Sequence, residues 1–411
     1  MGAKRIVVLG GGFAGLWSAA GAARKVDELR LGPEEVEITL VNRDAFHCIR
    51  VRNYEADLAA TRVPLDDVLG PIAVRRVEGS VSGVDVAEQT VAVQTAAGLT
   101  TLAYDRLIFA LGSQLARPNL PGLAEFGFDV DTYDGAMKLH RHLESLAARG
   151  ASPGRFVVVV VGAGLTGIEV ATEMPERLRG LMARAGVAGA PRVILADHNP
   201  LVGSDMGDSA RPVIEEALRS LVIESRVGIE VSAIDAAGVR LTSGEEITAD
   251  TVVWCAGMRA HPLTRLLGGE LDPLGRIAVD EFLRAAGVKH VFAAGDVARA
   301  RLDEDHLSVM SCQHGRPMGR FAGHNAVCDL LGLPMLPLHI DWYVTVLDLG
   351  PWGAVYTEGW DRQVVAQGAA AKQTKRTINR QRIYPPVNRD RQAILAAAEP
   401  VVQRPPTTKR S

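Results

Sequence analysis

Cysteine is scarce in this sequence, and long apolar runs are absent. Only four of the 411 residues are cysteines, and none of them is spaced as CxxC or CxxxxC. We therefore expect neither a disulfide framework nor a paired-thiol redox centre, and a reducing cytoplasm fits this usage. The ten histidines form no metal-binding pattern with the cysteines, so no metal site is predicted. No apolar run approaches the ~20 residues that a bilayer-spanning helix needs.

A strong excess of charge is also missing. The net charge is −3 and the isoelectric point is near 6.4, which argues against nucleic acid as a general partner. Hydrophobic residues make up 47% of the chain, enough for large cores, and the length predicts two to three domains.

Two glycine-rich turns of one pattern carry the clearest signal. Residues 10–15 follow the apolar residues 6–9, and residues 162–167 follow the apolar residues 156–161. Each turn has the form GxGxxG, which allows a tight bend, the approach of a pyrophosphate and close packing of the next helix. The free N–H groups at that helix N-terminus then favour phosphate. The pattern predicts an α/β fold with two Rossmann-like domains, which would hold two dinucleotides and pass electrons between them.

The residue at the end of the next strand differs between the two units. In the second unit Asp197 ends a short apolar strand, where a carboxylate can accept hydrogen bonds from both ribose hydroxyls and repel a 2′-phosphate. This favours NADH over NADPH. In the first unit the corresponding residue is Asn42, followed by Arg43, and we place both at the cofactor.

The rest of the sequence repeats this organisation. An Asp-led apolar strand ends at Gly112 in the first unit and at Gly257 in the second, and a third apolar strand leads to Gly295 and Asp296. A helix is predicted over residues 311–331. A hairpin is predicted from strands at 343–349 and 354–357, and disorder is predicted from Glu399 onward.

In this order, the pieces resemble the type II NADH:quinone oxidoreductases, which are flavoprotein reductases with tandem dinucleotide-binding units. The resemblance spans roughly residues 4–365. It implies FAD on the first unit, NADH on the second, a bond from Asp296 to the FAD ribityl chain, and Glu169 near the nicotinamide and the flavin. The residues expected to bind cofactor are Gly10, Gly12, Phe13, Ala14, Gly15, Asn42, Arg43, Gly112, Gly162, Gly164, Leu165, Thr166, Gly167, Asp197, Gly257, Gly295 and Asp296.

Glu169 and Gln313 are the candidate catalytic residues. A carboxylate at Glu169 could orient the nicotinamide or relay a proton, and it could equally stabilise the first turn of its helix. Gln313 matches the first glutamine of the family pattern AQxAxQxG, whereas Pro317 replaces the second. Gln313 and His314 could contact the flavin or an acceptor, or could be polar residues at a domain seam.

The C-terminal part departs further from the family. Where related proteins carry an apolar helix that lies on the membrane, this chain has five basic residues with almost no large apolar neighbours: Lys372, Lys375, Arg376, Arg380 and Arg382. We expect a solvated basic face, with weak contact to anionic lipid as the alternative.

The sequence therefore predicts an FAD-dependent NADH dehydrogenase that passes hydride from NADH to FAD and then electrons to a quinone or quinone-like small molecule. Two other functions stay open: a redox-sensing FAD- and NADH-binding protein with little turnover, and a sulfide or thiol oxidoreductase using Cys48 and Cys312. The FAD-binding domain is assigned to residues 1–120 and 260–335 and the NADH-binding domain to 121–259. Residues 336–411 form a small C-terminal region with the hairpin and a basic, partly disordered tail. We also expect a homodimer, located in the cytoplasm and at most peripheral to the inner face of the membrane.

Overall fold

Two five-stranded parallel sheets lie at the centre of the structure, a computed structural model that describes residues 2–406. In spatial order the first sheet consists of β21 (Val291–Ala293), β9 (Arg106–Phe109), β1 (Lys4–Leu9), β2 (Val36–Asn42) and β5 (Arg75–Glu78). The second sheet consists of β11 (Gly127–Phe128), β18 (Thr251–Trp254), β12 (Val157–Val161), β13 (Arg192–Asp197) and β14 (Ile223–Val227). The predicted α/β fold with two Rossmann-like units is confirmed.

Both central strands end in an apolar run, residues 6–9 of β1 and 157–161 of β12, because the sheets are covered on both faces. Ile6, Val8 and Leu9 on β1 are fully buried, as are Val158 and Val160 on β12. Central strands of parallel sheets have continuous runs of this kind, since neither face meets water. Each run ends at the carboxyl edge of its sheet, where the glycine turn begins.

The other strands form small sheets around this centre. Three antiparallel triplets are β6 (Ser80–Asp85), β7 (Thr90–Thr95) and β8 (Gly98–Ala103); β15 (Val231–Asp235), β16 (Gly238–Leu241) and β17 (Glu246–Thr248); and β23 (Val344–Asp348), β24 (Ala354–Glu358) and β25 (Gln363–Gln367). Three pairs are β3 (Phe46–Cys48) with β4 (Arg62–Pro64), β10 (Ser113–Leu115) with β19 (Met258–Ala260), and β20 (Ile277–Ala278) with β22 (Ala298–Arg299). The β10–β19 ribbon joins the two halves, and β23 with β24 forms the predicted hairpin.

Two long helices start at the glycine turns, and a third packs beside the first. The α-helices are α1 (Phe13–Glu28), α2 (Leu65–Leu69), α3 (Leu123–Phe126), α4 (Tyr133–Leu146), α5 (Leu165–Arg184), α6 (Gly207–Ser220), α7 (Cys312–Leu331), α8 (Gly368–Thr377) and α9 (Arg391–Ala397). A π-helical turn, Ile378–Arg382, continues α8. The predicted helix over residues 311–331 is confirmed as α7, and it runs through Pro317 without ending there.

Helices α1 and α7 cross at very short range because glycines lie at the contact. A Cβ on Gly319 would overlap the Ala14 carbonyl oxygen, and one on Gly323 would overlap that of Ser18. This close crossing brings the N-terminus of α7 to the glycine turn of the first unit.

Residues 398–406, which follow α9, have no regular secondary structure, but they are bonded to the body of the protein. Arg404 forms an ion pair with Asp341 at 3.0 Å, and the Arg316 guanidinium donates to Gln403 Oε1 at 3.3 Å. Lys409 and Arg410 lie outside the described residues, and the disorder expected from Glu399 onward stays a prediction. In the part that is described, no helix is both long and apolar enough to cross a membrane.

Candidate active site

The first glycine turn forms a cradle that has room for a pyrophosphate. Gly10 has a φ of +99°, and a Cβ there would lie 2.5 Å from the Ala110 carbonyl oxygen, while a Cβ on Gly15 would overlap the Gly10 carbonyl oxygen. A Cβ on Gly12 would meet nothing within 4 Å, so the open side of the turn is at this residue. No side chain among the described residues caps the N-terminus of α1, so its amide groups remain available for an anion.

The second turn repeats this geometry closely. Gly162 has a φ of +108°, and a Cβ on Gly167 would overlap the Gly162 carbonyl oxygen. Gly164 differs from its counterpart Gly12, because a Cβ there would lie 3.1 Å from Asp205 Oδ2. The two turns therefore fit two dinucleotides by the same device, and Leu165 and Thr166 begin α5 as Phe13 and Ala14 begin α1.

The strand-end residues Asn42 and Asp197 both hold their glycine turns, a role that the sequence analysis missed. Asn42 Oδ1 accepts the Gly11 N–H at 2.8 Å, and the Asp197 carboxylate accepts the Ala163 N–H. Asp197 also accepts the Asn199 N–H at 2.7 Å. The common position of the two residues after matching strands was the signal that could have revealed this role.

The two residues differ in the capacity that they have left for a ligand. The Asn42 amide nitrogen already donates to the Asp44 and Phe46 carbonyl oxygens at 3.0 and 3.2 Å. A carboxylate offers about four acceptor positions, so Asp197 retains capacity for ribose hydroxyls. Arg43 is exposed and lies 3.7 Å from Asp44.

A polar cluster lies beside the first cradle. Gly295, with a φ of +77°, packs directly on Ala14 and so places Asp296 next to the start of α1. Asp296 accepts a 2.5 Å hydrogen bond from the Ser113 hydroxyl, and burial raises the pKa of this carboxyl. Arg50 donates to the same hydroxyl at 3.0 Å and forms an ion pair with Asp131. Ser113 and Asp131 were not predicted from the sequence.

His47 supplies an unpaired polar atom at this cradle. Its ring packs edge-on against Phe13 with centroids 5.0 Å apart, and its Nδ1 lies 2.8 Å from the Gly11 carbonyl oxygen. Its Nε2 is buried and has no partner among the described residues. Burial lowers the pKa of His47 to about 4, so the ring is neutral at pH 7. An open cradle with an unpaired buried nitrogen beside it fits a polar cofactor such as FAD.

Gly112 and Gly257 lie where the central strands pass into the β10–β19 ribbon. Both have positive φ, +73° and +78°, and their carbonyl oxygens accept the His261 and Ala116 N–H groups. They lie at the crossing between the two units, directly after residues 110–111 and 255–256, which pack against Gly10 and Gly162.

Glu169, on the first turns of α5, forms a buried ion pair with Lys375 of α8. The Lys375 ammonium donates to Glu169 Oε1 at 2.6 Å and to the Val346 carbonyl oxygen at 3.0 Å. The Asp348 N–H also donates to Glu169 Oε1, at 3.1 Å. Both charged side chains are 9% exposed. Burial lowers the pKa of Lys375, but the carboxylates of Glu169 and Asp348 outweigh this effect and raise it, so the ammonium stays charged.

This pair corrects the prediction of a solvated basic face. Lys375 is buried, and Lys372 forms an ion pair with Asp348, whereas Arg376 and Arg380 are exposed. The prediction failed because the β23–β24 hairpin places α8 against α5. Lys372 and Lys375, three positions apart on α8, therefore meet the carboxylates of Asp348 and Glu169. Lysines at that spacing share one face of a helix, which was the available signal.

The N-terminus of α7 connects the ion pair to the first cradle. Burial raises the pKa of the Cys312 thiol, and Arg316, Lys375 and Asp296 are all close enough to influence it. Gln313 is half-buried and lies beside His314, whose Nδ1 accepts the Val309 N–H at 3.0 Å. The structure thus brings Glu169, Asp296 and the start of α7 together, while Asn42 and Asp197 bond the backbone of their own glycine turns.

The cysteines do not form a dithiol. All four are free, and Cys48 donates a weak hydrogen bond to Asn53 Oδ1 at 3.6 Å. Burial raises the pKa of Cys48, as it does that of Cys312. Both therefore remain protonated thiols, a poor state for nucleophilic or redox chemistry.

Comparison with known proteins agrees with this geometry. The profile of the pyridine nucleotide-disulphide oxidoreductase family matches residues 4–319. The NADH dehydrogenase-like protein Rv1812c of Mycobacterium tuberculosis is 58% identical over 402 residues, which cover 98% of this chain and all of that protein. The type II NADH:quinone oxidoreductase NdhA of the same organism is 31% identical over 324 residues, covering 72% of this chain and 66% of that protein.

A solved structure shares the fold over nearly the whole chain. The sulfide:quinone oxidoreductase of the bacterium Aquifex aeolicus superposes with a TM-score of 0.76, covering 96% of this chain and 93% of that one. Its sequence is 18% identical, so this likeness concerns the fold alone.

Proposed function

The chain belongs to the pyridine nucleotide-disulphide oxidoreductase family and is an FAD-dependent NAD(P)H oxidoreductase; we propose that NADH is its electron donor and a quinone or quinone-like small molecule its acceptor. The observation that carries the proposal is the meeting of two matching phosphate cradles at one buried region, which contains Glu169, Lys375 and the start of α7. The names of the two mycobacterial relatives, an NADH dehydrogenase-like protein and an NADH:quinone oxidoreductase, support the choice of donor and acceptor.

FAD would be held by the first unit. Bound there, it supplies the chemistry that converts hydride from a nicotinamide into electrons for the acceptor. The turn of residues 10–15 and the amide groups of α1 would bind its pyrophosphate, with Asn42 and Arg43 toward the adenosine end. Asp296, already bonded to Ser113, would accept a hydrogen bond from a hydroxyl of the ribityl chain.

NADH would be held by the second unit, with residues 162–167 and the start of α5 at its pyrophosphate. Asp197 is buried and bonded to two backbone amides, so its carboxylate is fixed in place to accept ribose hydroxyls. The same fixed negative charge would repel a 2′-phosphate, which is the basis for expecting NADH rather than NADPH.

The Glu169–Lys375 pair would orient the reacting groups and hold a proton. Because the pair is nearly excluded from water, its field is weakly screened. A carboxylate and an ammonium in hydrogen-bond contact can fix the amide of a nicotinamide and can exchange a proton with an acceptor that becomes reduced. Gln313, on the adjacent start of α7, would contact the acceptor.

The acceptor would reach this region from the side of α7 and α8. Arg376 and Arg380 are exposed there, and we include weak attraction to an anionic membrane surface in the proposal, since each basic side chain near such a surface contributes ~1 kcal/mol. Sedimentation with anionic and with neutral vesicles tests this contact, and equal recovery in both would remove it. Light scattering of the purified protein likewise tests the expected homodimer.

Anaerobic stopped-flow absorbance tests the central proposal. Purified protein should be yellow, should bleach when NADH is added, and should regain its colour rapidly when a quinone is mixed in. One slow reduction followed by a long-lived complex that no quinone reoxidises would favour the redox-sensing alternative. A colourless protein that cannot be reconstituted with FAD would overturn the assignment of the first cradle.

A further inference from the structure

The proposed reaction consumes one proton from solvent for each NADH. Hydride transfer provides two electrons and one hydrogen nucleus, whereas a quinone takes up two electrons and two protons on becoming a quinol. The active site is buried, so this second proton needs a route. We propose that it enters through a cleft beside α5 and reaches the Glu169–Lys375 pair by way of Glu173, Asp348 and Lys372. The proposal rests on the function inferred above.

The cleft lies along the solvent side of α5 and has a volume of about 510 Å³. Its outer wall carries Glu176 and Arg184, which are both exposed, and its inner wall carries Glu173 and Arg177, which are both half-buried. Water and small buffer ions can therefore reach the Glu173 carboxyl from the cleft, while the other side of Glu173 faces the protein interior.

Glu173 lies one helical turn after Glu169, and residues four positions apart share one face of a helix. Four charged groups act on Glu173: Asp348 of β23, Lys372 of α8, Glu55 of the segment between β3 and β4, and Arg177 of α5 itself. The Glu173 carboxyl thus lies between the solvent cleft and the two ion pairs that join α5, α8 and the hairpin.

The inner part of the route is a connected hydrogen-bonded cluster. Asp348 forms an ion pair with Lys372 through Oδ1, and its Oδ2 accepts the Tyr54 hydroxyl at 3.2 Å. The backbone N–H of Asp348 donates to Glu169 Oε1 at 3.1 Å, the atom that Lys375 also contacts at 2.6 Å. Two carboxylates and two ammonium groups therefore lie between Glu173, on which Asp348 and Lys372 act electrostatically, and Cys312 at the start of α7, on which Lys375 acts.

The protonation state of Glu173 suits a relay. Burial raises the pKa of Glu173 to about 7, the Asp348 and Glu55 carboxylates also raise it, and Lys372 and Arg177 oppose them. A carboxyl of this kind exchanges its proton readily at neutral pH, as a general acid or base must. Tyr54 has its pKa raised by burial and by these same carboxylates, so it stays protonated and serves as a fixed donor.

The transfer conserves charge at each step. Glu173 takes a proton from solvent in the cleft and, by rotation of its side chain or through a shared solvent molecule, passes it to the Asp348 carboxylate. Lys375 gives one of its protons to the Glu169 carboxylate that it contacts, and the Asp348 carboxyl, held in place by Lys372, returns a proton to Lys375. Glu169 then gives its proton to the reduced acceptor. Glu173 regains a proton from the cleft, and no oxidant or reductant beyond NADH and the quinone is needed.

The experiment compares Glu173→Gln with Glu176→Gln, a matched control that removes the same charge from the same helix and cleft. Reduction of the bound flavin by NADH, measured by stopped flow, should stay within about twofold of wild type in both. Quinone turnover in Glu173→Gln should fall by roughly tenfold to a hundredfold and lose its dependence on a group titrating near pH 7. Small weak acids such as formic acid should restore part of that turnover.

A second readout does not depend on turnover. Infrared or carbon-13 titration of the resting protein should show a carboxyl titrating near pH 7 in wild type and in Glu176→Gln, and its absence in Glu173→Gln. The relay is overturned if this carboxyl remains in Glu173→Gln, or if the quinone turnover and pH profile of that variant match wild type. Wild-type protein that no quinone reoxidises would instead overturn the proposed acceptor, and the relay with it.

Discussion

Replacing Lys375 by methionine tests whether the buried ion pair is a structural feature of the active site. The two charges are 2.6 Å apart, so at an effective dielectric constant of about 20 their attraction is about 6 kcal/mol. Removing both ions from water consumes several kcal/mol per ion, so the pair as a whole contributes little net stability. Removing one partner is different, because Glu169 is then left buried and unpaired, and the expected loss is about 3–5 kcal/mol.

The loss should depend on pH in a defined direction. In the variant, burial raises the pKa of Glu169 without the ammonium that opposes this effect in wild type. The folded state then binds a proton that the unfolded state releases above its ordinary pKa near 4.5. Stability of the variant should therefore fall as pH rises from about 5, and the difference from wild type should shrink in acid.

Urea unfolding followed by tryptophan fluorescence at pH 5 and pH 8 measures both effects. Adding Glu169→Gln to the lysine variant should recover most of the lost stability, because the double variant buries no charge, and the two single variants complete a double-mutant cycle. If Lys375→Met unfolds at the wild-type urea concentration at pH 8, or if its deficit is the same at both pH values, the argument for a closely coupled buried pair fails.

Three further predictions test the cofactor sites and the thiol alternative. Asp197→Arg should raise kcat/KM for NADPH relative to NADH, with Asp197→Asn as the control that can still accept the Ala163 N–H; an unchanged ratio for the arginine variant would exclude a ribose role. Gly12→Ala should leave the unfolding midpoint within about 0.5 kcal/mol of wild type, since its Cβ meets no protein atom within 4 Å, yet should lower the FAD content after dialysis because the methyl group projects into the cradle. Full FAD retention would show that the pyrophosphate does not approach this glycine. Cys48→Ser and Cys312→Ser should keep NADH oxidation within about twofold of wild type, because burial raises the pKa of both thiols and leaves them protonated; loss of activity in either, measured by NADH absorbance, would revive the thiol mechanism.

The features that the sequence predicted well are local ones. A buried strand, a glycine turn and a helix lie within about 25 consecutive residues, so their pattern can be recognised without knowledge of distant contacts. This applies to both Rossmann-like units and to α7, and the family membership and the FAD-dependent class are confirmed by the comparisons. The domain boundaries and the individual cofactor contacts stay predictions.

The features that sequence reasoning missed depend on contacts between distant residues. Lys375 is separated from Glu169 by 206 positions, and only the packing of α8 on α5 through the hairpin brings them together. A basic run with few apolar neighbours therefore indicated solvent exposure, although its inward face meets two carboxylates. Glu173 was missed for the same reason, since three of the four charged groups around it come from other elements.

The two strand-end residues suggest how one architecture can serve a resident cofactor and an exchanging one. The amide of Asn42 is occupied by its own loop, accepting from Gly11 and donating to two carbonyl oxygens, so it fixes the first turn with little capacity for a ligand. The carboxylate of Asp197 fixes the second turn with two backbone bonds and retains acceptor positions and a negative charge. A dinucleotide that binds and leaves in every turnover must be selected each time, and a residue with free acceptor positions and a charge can select it. A dinucleotide that stays bound needs mainly a preformed turn. The presence of an amide at Asn42 and of a carboxylate at the matching Asp197 therefore agrees with the proposal that the first unit retains FAD and the second exchanges NADH.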